Sequence, residues 1–544
     1  MDNSKVGSKV GAAHVEKGRE YLGKGVNIFA EGYLVPPNKG QVIDLTDGNV
    51  TTIPLDRSDV TEASGSNFAE FVQNFSVKAG VEGSYKGFTG SVESKFSKSS
   101  RDSIEIKFAQ VELISSGAIL TLGSDPVVLK RYLNSDFEKA LAEADPKTLF
   151  AAYGTHVAVA VKVGGMLSYY AHSKTTEHQS ETEFQLAAKL KYEGFGATVG
   201  ANVELTEQQK QIAKTVEGST HLFVNGGDAE ARANVEGGVK GSYPKWAGTL
   251  GTSPGFIGFQ EQGLFPVWKL TDDAARRAAL ELAFKQEAAR QFQIRIFTHT
   301  GTVAAHPQAR VHIPKEYKLL AGGAKDNYAG PGNLLTASFP DGDATWVARG
   351  KDHSDANPAS VSVFALAIYD NLDLWEVAQF FATGDYASHP SAQVAIAEDF
   401  VGKGGVLVGG GARVEPGADK LLTASYPKNT TTWVANAADP INNSPGKVTV
   451  FAQGLRCKVE GVEIKIKTNQ AQSQRKDHPS EKCSPNRGFA LVGGGAFVDF
   501  EPGLGNLLIS SYPENDHTWA ANSKDHLKPS KATITAYAIG MEVS

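Results

Sequence analysis

The side chains whose types could do chemistry are a few histidines and two cysteines, and their spacing limits them. His156 stands in Tyr153-Gly154-Thr155-His156, ahead of a β-branched run that closes on Gly164–Gly165. A catalytic imidazole needs a nucleophile or carboxylate in a supporting context. No GxSxG, HExxH, phosphate-binding loop or dinucleotide fingerprint supplies one. The expectation is a structural, hydrogen-bonding His156 in a chain that is not an enzyme and has no cofactor. His306, His389 and His478 each precede a proline at matching points of a long repeat. Three imidazoles gathered by symmetry can hold zinc, but histidines that satisfy turn backbone are the plainer reading, so no metal is assigned. Asp352–His353 and Asp525–His526 also recur, yet the middle copy reads Asp439–Pro440, which breaks a threefold histidine set. Cys457 and Cys483 match no metal spacing, and their pairing stays open.

Composition sets the frame for these residues. At 544 residues the chain needs more than one core. A net charge of -6 with no lysine/arginine block leaves no nucleic-acid footprint. No stretch approaches the 18 or so apolar residues of a membrane helix, and the first residues lack the apolar core of a secretory signal. Entry into a membrane is then expected only through a closed β-barrel, because lipid cannot satisfy an open sheet edge.

Two stretches carry the alternation such a barrel needs. In 75–97, Phe75, Val77, Ala79, Val81, Gly83 and Tyr85 alternate with Ser76, Lys78, Glu82 and Ser84. After Lys86–Gly87 the phase flips to Phe88, Gly90, Val92, Ser94 and Phe96, so a two-residue loop puts both apolar sets on one face. In 184–205, Phe184, Leu186, Ala188, Leu190 and Tyr192 precede Glu193–Gly194, and Phe195, Ala197, Val199, Ala201, Val203 and Leu205 follow. Each apolar face is about ten residues long, the length of a bilayer-spanning strand. A half-buried sheet of a soluble sandwich uses the same alternation. Around these stretches the sequence predicts a short strand in 25–37, a strand block over 104–122, helices from Asn134 or Ser135 and from Pro146, and a helix over 271–292 capped by Thr271.

From about residue 292 the chain repeats three times. LLAGGAKDNYAGPGNLLTASFP, VLVGGGARVEPGADKLLTASYP and ALVGGGAFVDFEPGLGNLLISSYP are each followed by Thr-Trp, at Trp346, Trp433 and Trp519. A long period with three copies predicts a closed pseudo-threefold β-module over 292–370, 371–455 and 456–544. The tryptophans could stack on sugars, but their strand-like TWVA and TWAA contexts favour the core. The variable loops 325–331, 350–358, 438–446 and 523–530 are the better surface for a receptor.

The YGTH…GG spelling resembles the signature of the membrane attack complex/perforin (MACPF) superfamily, carried by Tyr153, Gly154, Thr155, His156, Gly164 and Gly165. The repeats resemble the β-tripod domain of bacterial insecticidal perforin-like proteins. Together the two resemblances cover nearly the whole chain. They imply an α+β fold: a MACPF domain over 1–291, with a bent antiparallel sheet and helical clusters, then a targeting domain over 292–544. They imply a secreted soluble monomer that binds a target membrane through a protein or glycan receptor, with insect gut cells expected. Subunits would form a ring-shaped homo-oligomer whose paired hairpins, helical beforehand, build one β-barrel pore. Val77, Val81, Tyr85, Phe88, Val92, Leu186, Leu190, Tyr192, Phe195, Val199 and Val203 would then face lipid. Lys78, Glu82, Lys86, Lys189 and Lys191 would face the lumen, and Gly164–Gly165 would act as the pivot. The alternative is a non-lytic MACPF-type adhesin or lectin-like protein. Such a protein should tolerate charge on the apolar faces, and none occurs at odd positions 75–85 or even positions 184–192.

Overall fold

A computed structural model describes residues 10–55, 58–81, 85–103, 106–174, 180–199, 205–218, 222–328, 330, 332–354, 356–415, 419–439, 444–501 and 505–544. Glu82 and Val203 lie outside the described residues, as do the side chains of Lys86, Phe195 and Val199. The fold is α+β. Its contacts divide it into two compact units, essentially residues up to Gln291 and from Phe292 onward.

The first unit is built on two long antiparallel strands. Strand β1 (Ser58–Gly65) pairs with β2 (Ile106–Thr121), β2 with β3 (Ala160–Lys174), and β3 with β4 (Glu217–Gly218). Both long strands are buried on both faces, which is why the 104–122 block reads as a nearly continuous apolar run. The Gly164–Gly165 pair does not end its strand. β3 runs through it, with Gly164 at φ 139°, opposite a register shift between Ser115 and Ala118 on β2. A Cβ on Gly164 would lie 2.7 Å from the Gly117 Cα, so only glycine lets the two backbones meet at this bend.

The described parts of the stretches with strand alternation are largely helical here. Between β1 and β2 the described residues hold α1 (Phe68–Lys78), α2 (Lys86–Glu93) and α3 (Lys98–Asp102). The segment between β3 and β4 holds α4 (Glu181–Val199) and α5 (Glu207–Lys214). Helical signals compete with the period-two pattern: the Asn67 side chain caps α1, and Thr206 with Gln209 forms a capping box on α5. The predicted helices after Asn134 and Asp145 form as Ser135–Glu143 and Pro146–Tyr153. The helix expected from Thr271 instead starts at Ala274, because the Asp273 carboxylate accepts from Ala275 and Arg276. Thr271 supports that cap by accepting from the Asp273 N–H. The expected strand in 25–37 shrinks to Gly25–Val26.

The second unit consists of three six-stranded antiparallel sheets. Each takes three strands from one copy and three from the next. The first and second copies meet where Ala337 faces Arg413, the second and third where Ala424 faces Phe497, and the third and first where Ala324 faces Ser511. The glycine-rich motif of each copy has a steric cause. A Cβ on Gly322, Gly410 or Gly494 would lie 2.3–2.4 Å from the indole of Trp346, Trp433 or Trp519. The following glycine meets the backbone of the neighbouring copy at about the same range. The three tryptophans are buried, and each indole N–H donates to a serine hydroxyl, Ser338, Ser425 or Ser511, at 2.9–3.0 Å. They are core, not sugar platforms.

Candidate functional site

The helical segments and the central sheet form one arrangement. The two helical segments cover opposite faces of the β2–β3 pair. Even-numbered residues of β2 and β3 meet the first segment: Phe108 packs against Phe68 at 5.2 Å and Phe96 at 5.0 Å, and Phe96 reaches Tyr170 at 6.0 Å. Odd-numbered residues (Ala109, Val111, Leu113, Leu167, Tyr169 and Ala171) share a core with Phe184, Ala187, Ala188 and Tyr192 of α4. The face under the first segment is partly polar: the Gln110 amide donates to Glu112 at 2.6 Å and to the Tyr170 hydroxyl at 3.2 Å. Burial raises the Tyr170 pKa.

A clasp from the N-terminal side holds α2. The Tyr33 N–H donates to the Phe88 carbonyl at 3.1 Å, and a Cβ on Gly87 would lie 2.1 Å from the Phe29 carbonyl oxygen. The Phe29 ring packs on Tyr85 at 4.9 Å and on Phe284 at 5.2 Å. Composition and alternation give no signal for this clasp, since its contacts lie far apart in the chain.

The Tyr-Gly-Thr-His stretch ties that N-terminal strand to the domain. Gly154 has φ 75°, and a Cβ there would lie 2.5 Å from Val26 backbone atoms. His156 pairs with Val26 on one side and Pro266 on the other. Its Nδ1 lies 3.0 Å from the Thr155 hydroxyl, and its ring meets Trp268 at 5.5 Å and Phe284 at 5.9 Å. Burial, with Lys269 adding to it, lowers the His156 pKa to about 3, so the ring is neutral at pH 7. Tyr153 packs on Phe137 at 5.2 Å.

Residues 15–265 match the MAC/Perforin domain family. The chain carries a MAC/perforin domain. Among solved structures, GNIP1Aa from Chromobacterium piscinae aligns at 19% identity, covering 70% of this chain and 76% of its own, with a TM-score of 0.42. A cell invasion protein with a MAC/Perforin domain from Bacteroides thetaiotaomicron aligns at 15% identity over 49% and 60%, with a TM-score of 0.35. Astrotactin-2, a vertebrate-specific perforin-like membrane protein, aligns at 12% identity over 65% and 68%, with a TM-score of 0.29. No curated protein sequence matches the chain. No helix among the described residues is long and apolar enough to cross a membrane.

Within the MAC/perforin domain the residues assigned to a lipid face do not share one environment. Val81, Tyr85, Phe88, Val92, Leu190 and Tyr192 are buried, whereas Val77 is 51% and Leu186 55% exposed. Lys78 is exposed, and Lys189 and Lys191 are half-buried. In the repeats, His306, His389 and His478 are exposed, and His478 lies 2.9 Å from Asp525. The part of the His-Pro pairs used locally is the proline carbonyl, which accepts from Gly350, Ala437 or Ser523. Among the described residues no group of three His, Cys, Asp or Glu is placed to hold a metal. The histidines that symmetry does bring together are His353 and His526, buried and 3.0 Å apart, with Asp439 3.7 Å from His353. Both cysteines are free, and burial raises both thiol pKa values.

Proposed function

We propose that the protein is a water-soluble pore former. It would bind a target membrane through its repeat unit, assemble edge to edge into a ring, and insert residues 66–105 and 175–216 as two β-hairpins per subunit.

One observation carries this reading, the order and register of β1–β4. Each helical segment joins two neighbouring antiparallel strands and leaves the sheet at the same end. Gly65 faces Phe108. Continued outward without a shift, that pairing sets Val81 opposite Val92 and Tyr85 opposite Phe88, closing on the Lys86–Gly87 turn that the alternation selects. Ile106 faces Lys174, and the same continuation sets Phe88 opposite Tyr192 and Val92 opposite Ala188. Ala171 faces Gly218, which sets Tyr192 opposite Ala197 and moves the second turn to Gly194–Phe195, one residue past the turn read from the pattern. All four apolar sets then fall on one face, with both turns at the same level. Each segment holds about 40 residues, roughly 20 per strand, against the ten or so that span a bilayer. The alternation of a soluble sheet would not require agreement across three independent strand pairings.

In this reading Gly164–Gly165 is the bend that straightens as the segments leave the sheet. The chain is secreted as a soluble monomer and ends as an oligomeric pore, and insecticidal action is the expectation carried over from the family resemblance. The deciding experiment uses Val77→Asp and Leu186→Asp. Both side chains stand in water in the helical form yet fall on the lipid face of the hairpins. Each variant should keep its melting temperature and target binding while dye release from target-membrane vesicles falls at least about tenfold, since a carboxylate on the lipid face opposes insertion. Undiminished release from both variants would reject the insertion reading and favour the non-lytic adhesin.

A further inference from the structure

The three sheets of the repeat unit present equivalent outer faces with different chemistry. On the sheet shared by the first and second copies, Gln308, Arg349, Ala337, Arg413, Thr449 and Thr383 stand opposite one another in a single row. The Arg349 guanidinium lies 5.6 Å from the centre of the Phe339 ring, and that of Arg413 lies 5.2 Å from Phe339 and 5.6 Å from Phe451. The two phenyl rings stack at 5.4 Å and form a floor for both cations. Arg349 Nε donates to the Gln308 amide oxygen at 3.0 Å. Arg310, nearby, pairs with Asp341 at 2.9 Å. Among the described residues neither Arg349 nor Arg413 has a carboxylate within ion-pair distance. Beside them opens a cleft of about 390 Å³ lined by His306, Gln308, Thr336, Arg349, Lys351 and Glu415, among others.

The other copies show what the scaffold itself requires. At the position of Arg349 they hold Asn436 and Asn522, and at that of Arg413 they hold Phe497 and Lys325. The fold therefore forms with an amide where the first copy places a guanidinium that has no carboxylate at ion-pair distance among the described residues. Burial and the neighbouring arginines Arg310 and Arg413 lower the Arg349 pKa, Asp341 opposes them only in part, and an oxyanion would relieve the remaining cost.

We propose that this cleft and the outer face beside it bind an acidic saccharide, with Arg349 of the lining and Arg413 of the adjoining face holding its carboxylate or sulfate and Gln308, Thr336 and Glu415 its hydroxyls. A guanidinium lying on a ring keeps its N–H edge free for a two-point contact with an oxyanion. The cleft volume suits one or two sugar rings. Glu415 can accept from hydroxyls, which a saccharide carries around its ring and a bare phosphate lacks, so the lining favours a polyhydroxylated acid over a simple oxyanion. The proposal rests on the reading that the repeat unit recognises the target surface, and it names the ligand class of that recognition.

The test is titration calorimetry of the full chain with 3′-sialyllactose, a sulfated heparin disaccharide and lactose. At least one acidic sugar should bind and weaken as salt rises, while lactose binds at least about tenfold more weakly. Arg349→Asn and Arg413→Phe, each installing a residue type another copy carries, should each lower that affinity about tenfold or more with the melting temperature unchanged. The proposal is overturned if neither acidic sugar binds, if lactose binds as well, if both variants bind like the parent, or if the patch engages only phosphatidylserine vesicles. Val77→Asp separates this from the pore reading, because its loss of dye release should leave sugar binding intact.

Discussion

His156 is held neutral by burial among Trp268, Phe284 and Thr155, and that has a measurable price at low pH. Its folded pKa of about 3 lies below the ordinary value of 6.5, so the unfolded chain takes up a proton that the folded chain refuses. Stability contributed by the neutral ring is present above about pH 6.5 and is lost as pH falls toward 3, by roughly 1.4 kcal/mol per unit. Denaturant unfolding of the parent and of His156→Gln should diverge by about that slope between pH 6 and 4; parallel curves would mean the imidazole is wetter than the fold implies. At the bend, Gly164→Ala should cost about 2 kcal/mol or more, because a Cβ meets the Gly117 backbone at a φ that other residues resist. Tyr153–His156 and the glycine pair were legible as spelling. Their partners were not, because Val26, Pro266 and Gly117 lie far from them in the chain.

The helical segments on the central sheet carry two patterns at once. Period-two alternation was legible in the residue order itself and is what the proposed hairpin faces would need, and the helix was less so because caps and tertiary cover, rather than propensity, decide it. Gly87 illustrates the point: it is a poor helix former, yet it sits in α2 because the Phe29 carbonyl approaches there. The same cover dictates which positions can test insertion. Val81 and Ala188 are fully buried in the helical form, so aspartate there would break the soluble fold before any membrane was met. The register yields a more specific test. Ser91 and Lys189 belong to segments that cover opposite faces of the sheet, yet continuation of the Ile106–Lys174 pairing sets them side by side. With Cys457 and Cys483 replaced by alanine, Ser91→Cys/Lys189→Cys should cross-link within one subunit only after exposure to target membranes. Cross-linking in solution alone, or none on membranes, would contradict the shared register.

At the scale of the whole molecule, three copies were legible from tryptophan spacing and the glycine-rich motif. That each sheet mixes strands of two copies was not, since periodicity reports similarity and not partners. The consequence is cooperativity: no copy has a sheet of its own. Trp433→Ala should destabilise the repeat unit by about 3–5 kcal/mol, and calorimetry should show its single transition moving down intact. A split transition in which one copy melts alone would contradict the shared sheets. For the first unit, electron microscopy of exposed target membranes should show rings if the proposed assembly holds.

The exchange of strands also bears on how such a unit can diversify. Its structural residues are held in triplicate: three indoles, three serine acceptors and three glycine steps, each bracing a junction between neighbours. The outer-face residues Arg349, Asn436 and Asn522 occupy one position in three variants, and none of them braces the tryptophans. One junction can therefore drift toward a new ligand while the other two preserve the architecture. Such a molecule can change what it recognises without renegotiating how it folds.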